Sequence, residues 1–143
     1  MRYEALGGTF KEETGLNIGR VGHSCLFILT EERDGILVAG GFNEETSGRL
    51  TSTEFYDFKT HSWSEVADLN IARSGLRLVQ IGQNILALGG KSTSGKFSDF
   101  FIENVESVEQ LDISSWTWSM AEDMLQPRSF HTVTLIPGNY FVH

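Results

Sequence analysis

Few residues in this chain could cross-link it or anchor it. Its 143 residues contain one cysteine, so a disulfide within the chain is excluded. The sequence has no run of about 18 apolar residues, which a membrane-spanning helix requires, and no charged then apolar leader. It also lacks an Asn-x-Ser/Thr acceptor for N-glycosylation. These absences fit a reducing interior better than secretion, and we expect a cytoplasmic location.

Basic residues and prolines are also scarce. Lysine and arginine total 11 against 19 acidic residues, which gives a net charge of −8. Nucleic acids and anionic membranes attract basic surfaces, so we expect neither as a partner. Two prolines, 15 glycines and a 40% share of hydrophobic residues describe a turn-rich, strand-forming chain. Because no apolar pattern with a helical period is sustained, we predict an all-β protein.

What the sequence does have is an internal repeat. Residues 53–73 align without a gap to residues 108–128, and an apolar run that ends in two glycines precedes each copy. The matching positions recur with a period near fifty residues, which is typical of blades built from short strands and arranged in a ring. The shared residues are Glu54 with Glu109, Asp57 with Asp112, Trp63 with Trp118, Asp68 with Asp123 and Arg73 with Arg128, preceded by the pairs Gly40–Gly41 and Gly89–Gly90.

This order of residues resembles the kelch repeat of β-propeller proteins, with its glycine pair followed by Glu, an aromatic residue, Asp, Trp and Arg. Tyr56 is the aromatic residue of the first copy, and Leu111 replaces it in the second. The resemblance implies a partial kelch-type β-propeller, with about two complete four-stranded blades plus incomplete flanking blades. Since a propeller takes about 4 to 8 blades, 143 residues are too few to close a ring alone.

The repeat divides the chain into four segments. Residues 20–72 are predicted to form one blade, residues 73–127 a second, and residues 128–143 the start of a third that stops in mid-blade. In each blade, two apolar runs joined by a turn precede two further strands. Residues 1–19 are either the remnant of an earlier blade, because Gly7 and Gly8 echo the glycine pairs, or a loose N-terminal strand.

The repeated residues are interpreted as the scaffold of the blades. The two tryptophans offer large apolar surfaces and are expected to wedge between blades. The glycine pairs indicate positions where backbones approach closely or where φ is positive. An arginine follows each repeated glutamate 19 residues later. We therefore predict that Glu54 pairs with Arg73, and Glu109 with Arg128, across a blade junction.

Two kinds of connection are expected to leave the same end of each sheet, called here the loop end. They are the links between the second and third strands and the links between blades. The loop from Lys91 to Asn104 is the longest, since the stretch between the glycine pair and Glu109 exceeds its counterpart by six residues. Exposed aromatic residues typically anchor protein interfaces. Alternatively, they fold back over the blade as a small satellite cluster. The candidate partner-binding residues are Lys96, Phe97, Phe100, Phe101 and Ile102.

No catalytic residue, cofactor or metal site is predicted. Residues 90–92 (GKS) suggest a phosphate-binding loop, but that motif requires a glycine where Ile85 stands. His23 and Cys25 could share one face of a strand, and the favoured interpretation is a buried, inert thiol. The four histidines show no metal-ligand spacing.

Our main hypothesis is a non-enzymatic module that binds another protein through the loop end. The resemblance implies roles such as substrate recognition for cullin-based ubiquitin ligases, which need a BTB-type domain, or cytoskeletal and scaffold binding. Self-association that completes the propeller is a further expectation. Two alternatives stay open: a partial gene product without activity of its own, and a fragment of a propeller enzyme similar to the copper-dependent galactose oxidases. That resemblance would require a copper site of Tyr and His with a Tyr–Cys cross-link, and the tyrosines and cysteine available are Tyr3, Tyr56, Tyr140 and Cys25.

Overall fold

The structure is a computed structural model, and it describes residues 2–4, 8–30, 33–93, 101–136 and 139–142. Every regular element in these ranges is a β-strand, and they contain no helix able to cross a membrane. The strands are β1 (Arg2–Glu4), β2 (Thr9–Lys11), β3 (Ser24–Leu29), β4 (Asp34–Ala39), β5 (Phe42–Asn43), β6 (Gly48–Arg49), β7 (Thr53–Asp57), β8 (Ser62–Val66), β9 (Arg77–Ile81), β10 (Asn84–Leu88), β11 (Lys91–Thr93), β12 (Ile102–Asn104), β13 (Val108–Asp112), β14 (Thr117–Met120), β15 (Val133–Ile136) and β16 (Asn139–Val142).

Eight of these strands form two four-stranded antiparallel sheets of the same design. Blade 1 has the strand order β3-β4-β7-β8, and blade 2 has the order β9-β10-β13-β14. The registers also agree, because Ala39 pairs with Ser24 and Thr53 while Leu88, its repeat equivalent, pairs with Arg77 and Val108. The predicted all-β, partial β-propeller with two complete blades is confirmed.

Four two-stranded hairpins accompany the blades. The β5–β6 hairpin joins the second and third strands of blade 1, and the β11–β12 hairpin does the same in blade 2. The β1–β2 hairpin precedes blade 1, and the β15–β16 hairpin follows blade 2. Hydrogen bonds tie each interblade link to its own blade's hairpin, since the Arg73 amide donates to the Leu50 carbonyl at 3.2 Å. The Arg128 amide donates likewise to the Val105 carbonyl, so both connections lie at the loop end.

The main core lies between the two blades. Blade 1 contributes Ile28, Leu37 and Phe55, and blade 2 contributes Ile85 and Leu111, all at most 1% exposed. Burying each side chain contributes about 1.5 to 3 kcal/mol, so this junction is the principal source of stability. A smaller cluster on blade 2 contains Val79, Leu88 and Val108, with Met124 and Val133 packed against it.

The turns between the third and fourth strands share one conformation. His61 and Trp116 occupy equivalent positions there, and both have a φ of 53° in the left-handed region. Asp57 starts the first of these turns, and its Oδ1 accepts a hydrogen bond from the Lys59 amide at 2.7 Å. Gly8 has a φ of 62° in the turn between β1 and β2. Gly8 is therefore a turn residue and not the counterpart of a glycine pair, contrary to the prediction; Gly7 lies outside the described residues.

Candidate functional site

The glycine pairs join each blade to the segment that leads into the next. Gly40 and Gly89 have φ values of 63° and 57°. A Cβ on Gly40 would lie 2.5 Å from the Arg73 carbonyl oxygen, too close for any side chain. The amide of Gly41 donates to that same carbonyl at 2.8 Å, and the second pair repeats this contact with Arg128. Glycine is required here by both the backbone conformation and the close approach.

In each blade, a buried arginine joins the end of the second strand to the start of the third. In blade 2, the Arg73 guanidinium donates to the carbonyls of Gly89 at 2.9 Å and Ser107 at 2.8 Å. It also reaches the Ser107 hydroxyl and pairs with Glu109 at 2.9 Å, and the side chains of the ion pair are fully buried. Burial lowers the pKa of Arg73, and the neighbouring Glu109 charge opposes this shift. Arg20 repeats the arrangement in blade 1, with Glu54 as its partner.

The predicted pairing of these charges is wrong. Glu54 was expected to contact Arg73, and Glu109 was expected to contact Arg128, each 19 residues downstream. Each glutamate pairs instead with the arginine that precedes its own blade. The reason is topological: the arginine lies just before the first strand, and the antiparallel order brings the start of the third strand to that end of the sheet.

Each glutamate also fixes the chain that enters its blade, and the sequence interpretation missed this role. Glu109 accepts hydrogen bonds from the amides of Asn70 at 2.6 Å and Ile71 at 3.1 Å. Glu54 accepts the equivalent bonds from Asn17 at 2.7 Å and Ile18 at 3.2 Å. The sequence does carry a signal for this contact, because residues 17–20 (NIGR) and 70–73 (NIAR) repeat one short motif.

The two repeated tryptophans dock on the preceding segment of chain. Trp118 is 9% exposed and its indole N–H donates to the Ala67 carbonyl of blade 1 at 2.9 Å. Trp63 makes the same bond to the Thr14 carbonyl at 2.9 Å, but the segment around Thr14 covers it only in part. Tyr56, the aromatic position of the first repeat, is buried beside Trp63, with ring centroids 5.1 Å apart.

Blade 1 has a face toward the N-terminal segment that remains partly open, called here the leading face. Tyr56, Phe58 and Trp63 line a cleft of about 430 Å³ together with Glu13 and Thr14.

The repeated aspartate of blade 2, Asp112, begins a solvent-exposed turn. Hydrogen bonds from Ser114 lower the pKa of its carboxyl.

Cys25 also lies on the leading face and is exposed. The interpretation of Cys25 as a buried thiol is therefore wrong. The corresponding residue of blade 2, Leu78, is 8% exposed against blade 1, so the position is buried only where another blade covers it.

The β11–β12 hairpin carries the described part of the candidate partner-binding loop. Phe101 is 62% exposed and Ile102 is 55% exposed, so neither folds back onto the blade as a satellite cluster. Lys96, Phe97 and Phe100 lie outside the described residues. In the matching hairpin of blade 1, Phe42 is half-buried and the Arg49 guanidinium lies 6.0 Å from its ring. Among the described residues, the hairpin of blade 2 therefore exposes more apolar surface than the hairpin of blade 1.

A third exposed apolar side chain, that of Phe130, lies near the first strand of the β11–β12 hairpin. The Gly75 amide donates to the Gly22 carbonyl at 2.6 Å, and the Phe130 amide donates to the Gly75 carbonyl at 2.7 Å. Phe130 thus occupies a left-handed position, with a φ of 52°, where the earlier repeats have glycine. Its ring is 58% exposed and lies 5.8 Å from the Lys91 ammonium. Sequence reasoning missed Phe130, although its spacing from Arg128 matches that of Gly22 from Arg20.

The histidines at equivalent repeat positions are partly buried close to arginines. His23 and His131 have ring nitrogens that are buried without a hydrogen-bond partner in the described structure. Burial lowers the pKa of both, and the charges of Arg128 and Arg77 lower that of His131 further. Among the residues that the structure describes, no group of three or more His, Cys, Asp or Glu side chains could hold a metal ion.

Comparisons with known proteins point to one family. A family model described as the Kelch motif matches residues 33–70, which span β4 to β8 of blade 1. Kelch-like protein 40 of Xenopus tropicalis is 34% identical over 77 residues, covering 54% of this chain and 12% of that protein. Alpha-scruin of Limulus polyphemus is 29% identical over 101 residues, covering 67% of this chain and 10% of the relative.

An F-box/kelch-repeat protein of Arabidopsis thaliana is 27% identical over 95 residues, or 65% of this chain and 23% of the relative. The chain therefore spans less than a quarter of the length of each of these relatives. The family match, the relatives and the two repeated four-stranded sheets agree. The chain carries kelch-type repeats, with the matched Kelch motif in blade 1, and its two complete sheets are consistent with kelch-type propeller blades.

Proposed function

We propose that the chain is a non-enzymatic module that binds a protein partner at the loop end of blade 2. The observation that carries the proposal is the exposed apolar pair Phe101 and Ile102 on the β11–β12 hairpin. Large apolar side chains on an otherwise polar loop mark protein contact sites, and aromatic residues are frequent hot spots there.

The hairpin is held by a rigid base. Lys91 and Ser74 exchange backbone hydrogen bonds of 3.0 and 2.7 Å, which fix the first strand of the hairpin to the entry of blade 2. The Ser129 hydroxyl donates to the Asn104 side chain at 2.8 Å, which fixes the second strand. A partner would therefore meet a preorganised surface, and less conformational entropy would be lost on binding.

The acidic net charge of −8 favours a partner with basic residues around an apolar anchor. Among the roles that kelch-repeat proteins have, we propose that the chain recognises substrates for a ubiquitin ligase or binds a cytoskeletal or scaffold protein. Support for a protein-binding role comes from the similarity to kelch-repeat proteins, among them an F-box/kelch-repeat protein. The exposed thiol of Cys25 supports a reducing compartment such as the cytoplasm.

Peptide selection on the purified chain tests the proposal. Peptides are selected from a display library, and their dissociation constants are measured for the wild type and for Phe101→Ser/Ile102→Ser. Hot-spot residues cost about 2 kcal/mol or more, so we expect binding to weaken at least about thirtyfold while the melting temperature stays unchanged. Met120→Ser is the matched control, because Met120 is 52% exposed on the outer strand of the same blade.

The control should bind within about twofold of the wild type, since surface changes away from the contact have small effects. Equal losses in the double variant and in Met120→Ser would contradict the proposal. Selected peptides that bind the double variant as well as the wild type would place the contact elsewhere and contradict it too.

A further inference from the structure

Phe130 takes the place of a glycine at the loop end. Gly22, Gly75 and Phe130 occupy equivalent repeat positions, each two residues after the arginine that precedes a blade, and their φ values are 62°, 69° and 52°. Glycine adopts this left-handed conformation without strain, whereas a phenylalanine there is strained. Because glycine meets the structural need at two of the three positions, the backbone path does not call for a side chain at Phe130.

The Phe130 ring lies back across the two glycines. A Cβ on Gly75 would lie 2.9 Å from the ring carbon Cε2, and a Cβ on Gly22 would lie 3.7 Å from Cε1. The ring therefore packs on glycine backbone on one side, while Phe130 as a whole remains 58% exposed. Its apolar surface would leave water fully only when a partner covers it, and that burial would favour binding.

The same surface continues onto the β11–β12 hairpin. Lys91 lies opposite Asn104, and the Lys91 ammonium is 5.8 Å from the centre of the Phe130 ring. Residues two apart on a strand share a face, so Ile102 lies on the face of Asn104, about 7 Å along β12. The Ser129 hydroxyl donates to the Asn104 side chain at 2.8 Å, which ties the segment of Phe130 to the hairpin. Ile102 and Phe130 are thus two apolar ends of one preorganised surface.

The exposed charges around this surface have one sign. Among the described residues at the loop end of blade 2, the exposed charged side chains are Glu103, Glu106, Glu122 and Asp123. The cations there, Lys91 and Arg128, are half-buried. The exposed cations Arg33 and Lys59 lie in turns at the opposite end of the sheets. A partner whose apolar residues are flanked by positive charge would therefore complement the loop end.

We propose that Phe130 is a second anchor of the partner site, and that the partner is a protein segment with two separated apolar side chains flanked by Lys or Arg. This inference rests on the proposed function of the β11–β12 hairpin. One apolar side chain covers Ile102 and the other covers the Phe130 ring, while the flanking cations face the exposed carboxylates. The strained conformation of Phe130 is then retained for binding and not for stability.

Phe130→Gly tests the anchor, because it introduces the residue of the other two repeats. The probe is the tightest peptide from the selection on the wild-type chain, synthesised with a fluorescent label. We expect Phe130→Gly to bind it at least about thirtyfold more weakly, as for a hot-spot residue. Its melting temperature should equal or exceed that of the wild type, because glycine relieves the strained φ. Phe130→Tyr keeps the ring and should bind within about threefold of the wild type.

The two readouts distinguish an anchor from a structural ring. A melting temperature more than about 3 °C below that of the wild type would assign the ring of Phe130 to the scaffold and overturn the proposal. Unchanged affinity of Phe130→Gly would overturn it as well, whatever the melting temperature.

Charge reversal tests the chemistry of the partner. In about 50 mM salt, where screening is weak, Glu103→Lys should bind the probe at least about threefold more weakly. Replacing the Lys and Arg residues of the probe with Gln should weaken its binding to the wild type by a similar factor. Asp34→Lys is the matched control, because Asp34 is exposed at the opposite end and its reversal changes the net charge equally. Equal losses for Glu103→Lys and Asp34→Lys, or selected peptides without Lys or Arg, would overturn this partner chemistry.

Failure of the second anchor can be told apart from failure of the proposed function. If Phe101→Ser/Ile102→Ser loses binding and Phe130→Gly does not, the hairpin remains the site and the second anchor is rejected. If both variants bind the probe like the wild type, the loop site itself is rejected and this inference falls with it. Peptide binding that disappears as the chain concentration rises would mean that a second copy covers the surface, which would also overturn the proposal.

Discussion

The buried ion pair of Arg73 and Glu109 allows the design of the blade to be tested by one substitution. Both side chains are fully buried. Arg73→Met keeps a long side chain in the same space but removes the charge that faces the carboxylate. We expect a large loss of stability, because an unpaired buried charge costs far more than the intact pair contributes.

The magnitude follows from the contacts that are lost and kept. Removing one partner of a buried ion pair costs about 3 to 5 kcal/mol. The carbonyls of Gly89 and Ser107 also lose their donors at 2.9 and 2.8 Å, which adds to the cost. The cost is limited because Glu109 keeps the amides of Asn70 and Ile71 as hydrogen-bond donors. We therefore expect about 3 to 5 kcal/mol, a large share of a typical total of about 5 to 15 kcal/mol.

Urea unfolding followed by tryptophan fluorescence measures the effect for Arg73→Met, Glu109→Gln and the double variant. Glu109→Gln removes the opposite charge while keeping the shape, so the double variant should cost at least about 1 kcal/mol less than the sum of the single ones. Lys59→Met is the control, since Lys59 is exposed and its loss should change stability by less than about 0.5 kcal/mol. A cost below about 1 kcal/mol for Arg73→Met, or strictly additive effects, would refute the buried pair.

Two other predictions rest on single side chains. Trp118→Ala should destabilise the fold by about 3 to 5 kcal/mol in the same urea assay. Trp63→Ala should cost about half as much, because Trp118 is buried and Trp63 is only half-buried. Equal costs for the two variants would contradict this difference in burial. The lowered pKa of His131 means that the unfolded chain binds a proton more readily, so stability should fall as the pH drops below about 6.5. His131→Leu, which introduces the residue found at the equivalent position 76, should flatten that dependence between about pH 7 and 5, and an unchanged profile would contradict it.

The blade architecture could be predicted because it is encoded in local patterns that occur twice. Apolar runs, turn residues and the glycine pairs keep nearly the same spacing in both copies. A strand can be recognised from about five residues, and the meander order follows when each turn is short. The two complete sheets and the order of their strands were therefore predicted correctly from the sequence.

The partners of the buried charges could not be predicted from spacing alone. Arg73 lies 19 residues after Glu54 and 36 before Glu109, and sequence distance favours the nearer glutamate. Only the strand order shows that Glu109 shares a blade with Arg73. The repeated motif at residues 17–20 and 70–73 carried this information, because a segment that recurs before each blade must contact something that also recurs.

Phe130 was missed for a different physical reason. A left-handed φ is normally detected through glycine, and Gly22 and Gly75 signal it in the earlier repeats. A phenylalanine at that position gives no sequence signal for a left-handed φ. This conformation costs about 1 to 3 kcal/mol for a residue other than glycine. The position emerges only when the hydrogen bonds from Phe130 to Gly75 and from Gly75 to Gly22 are known.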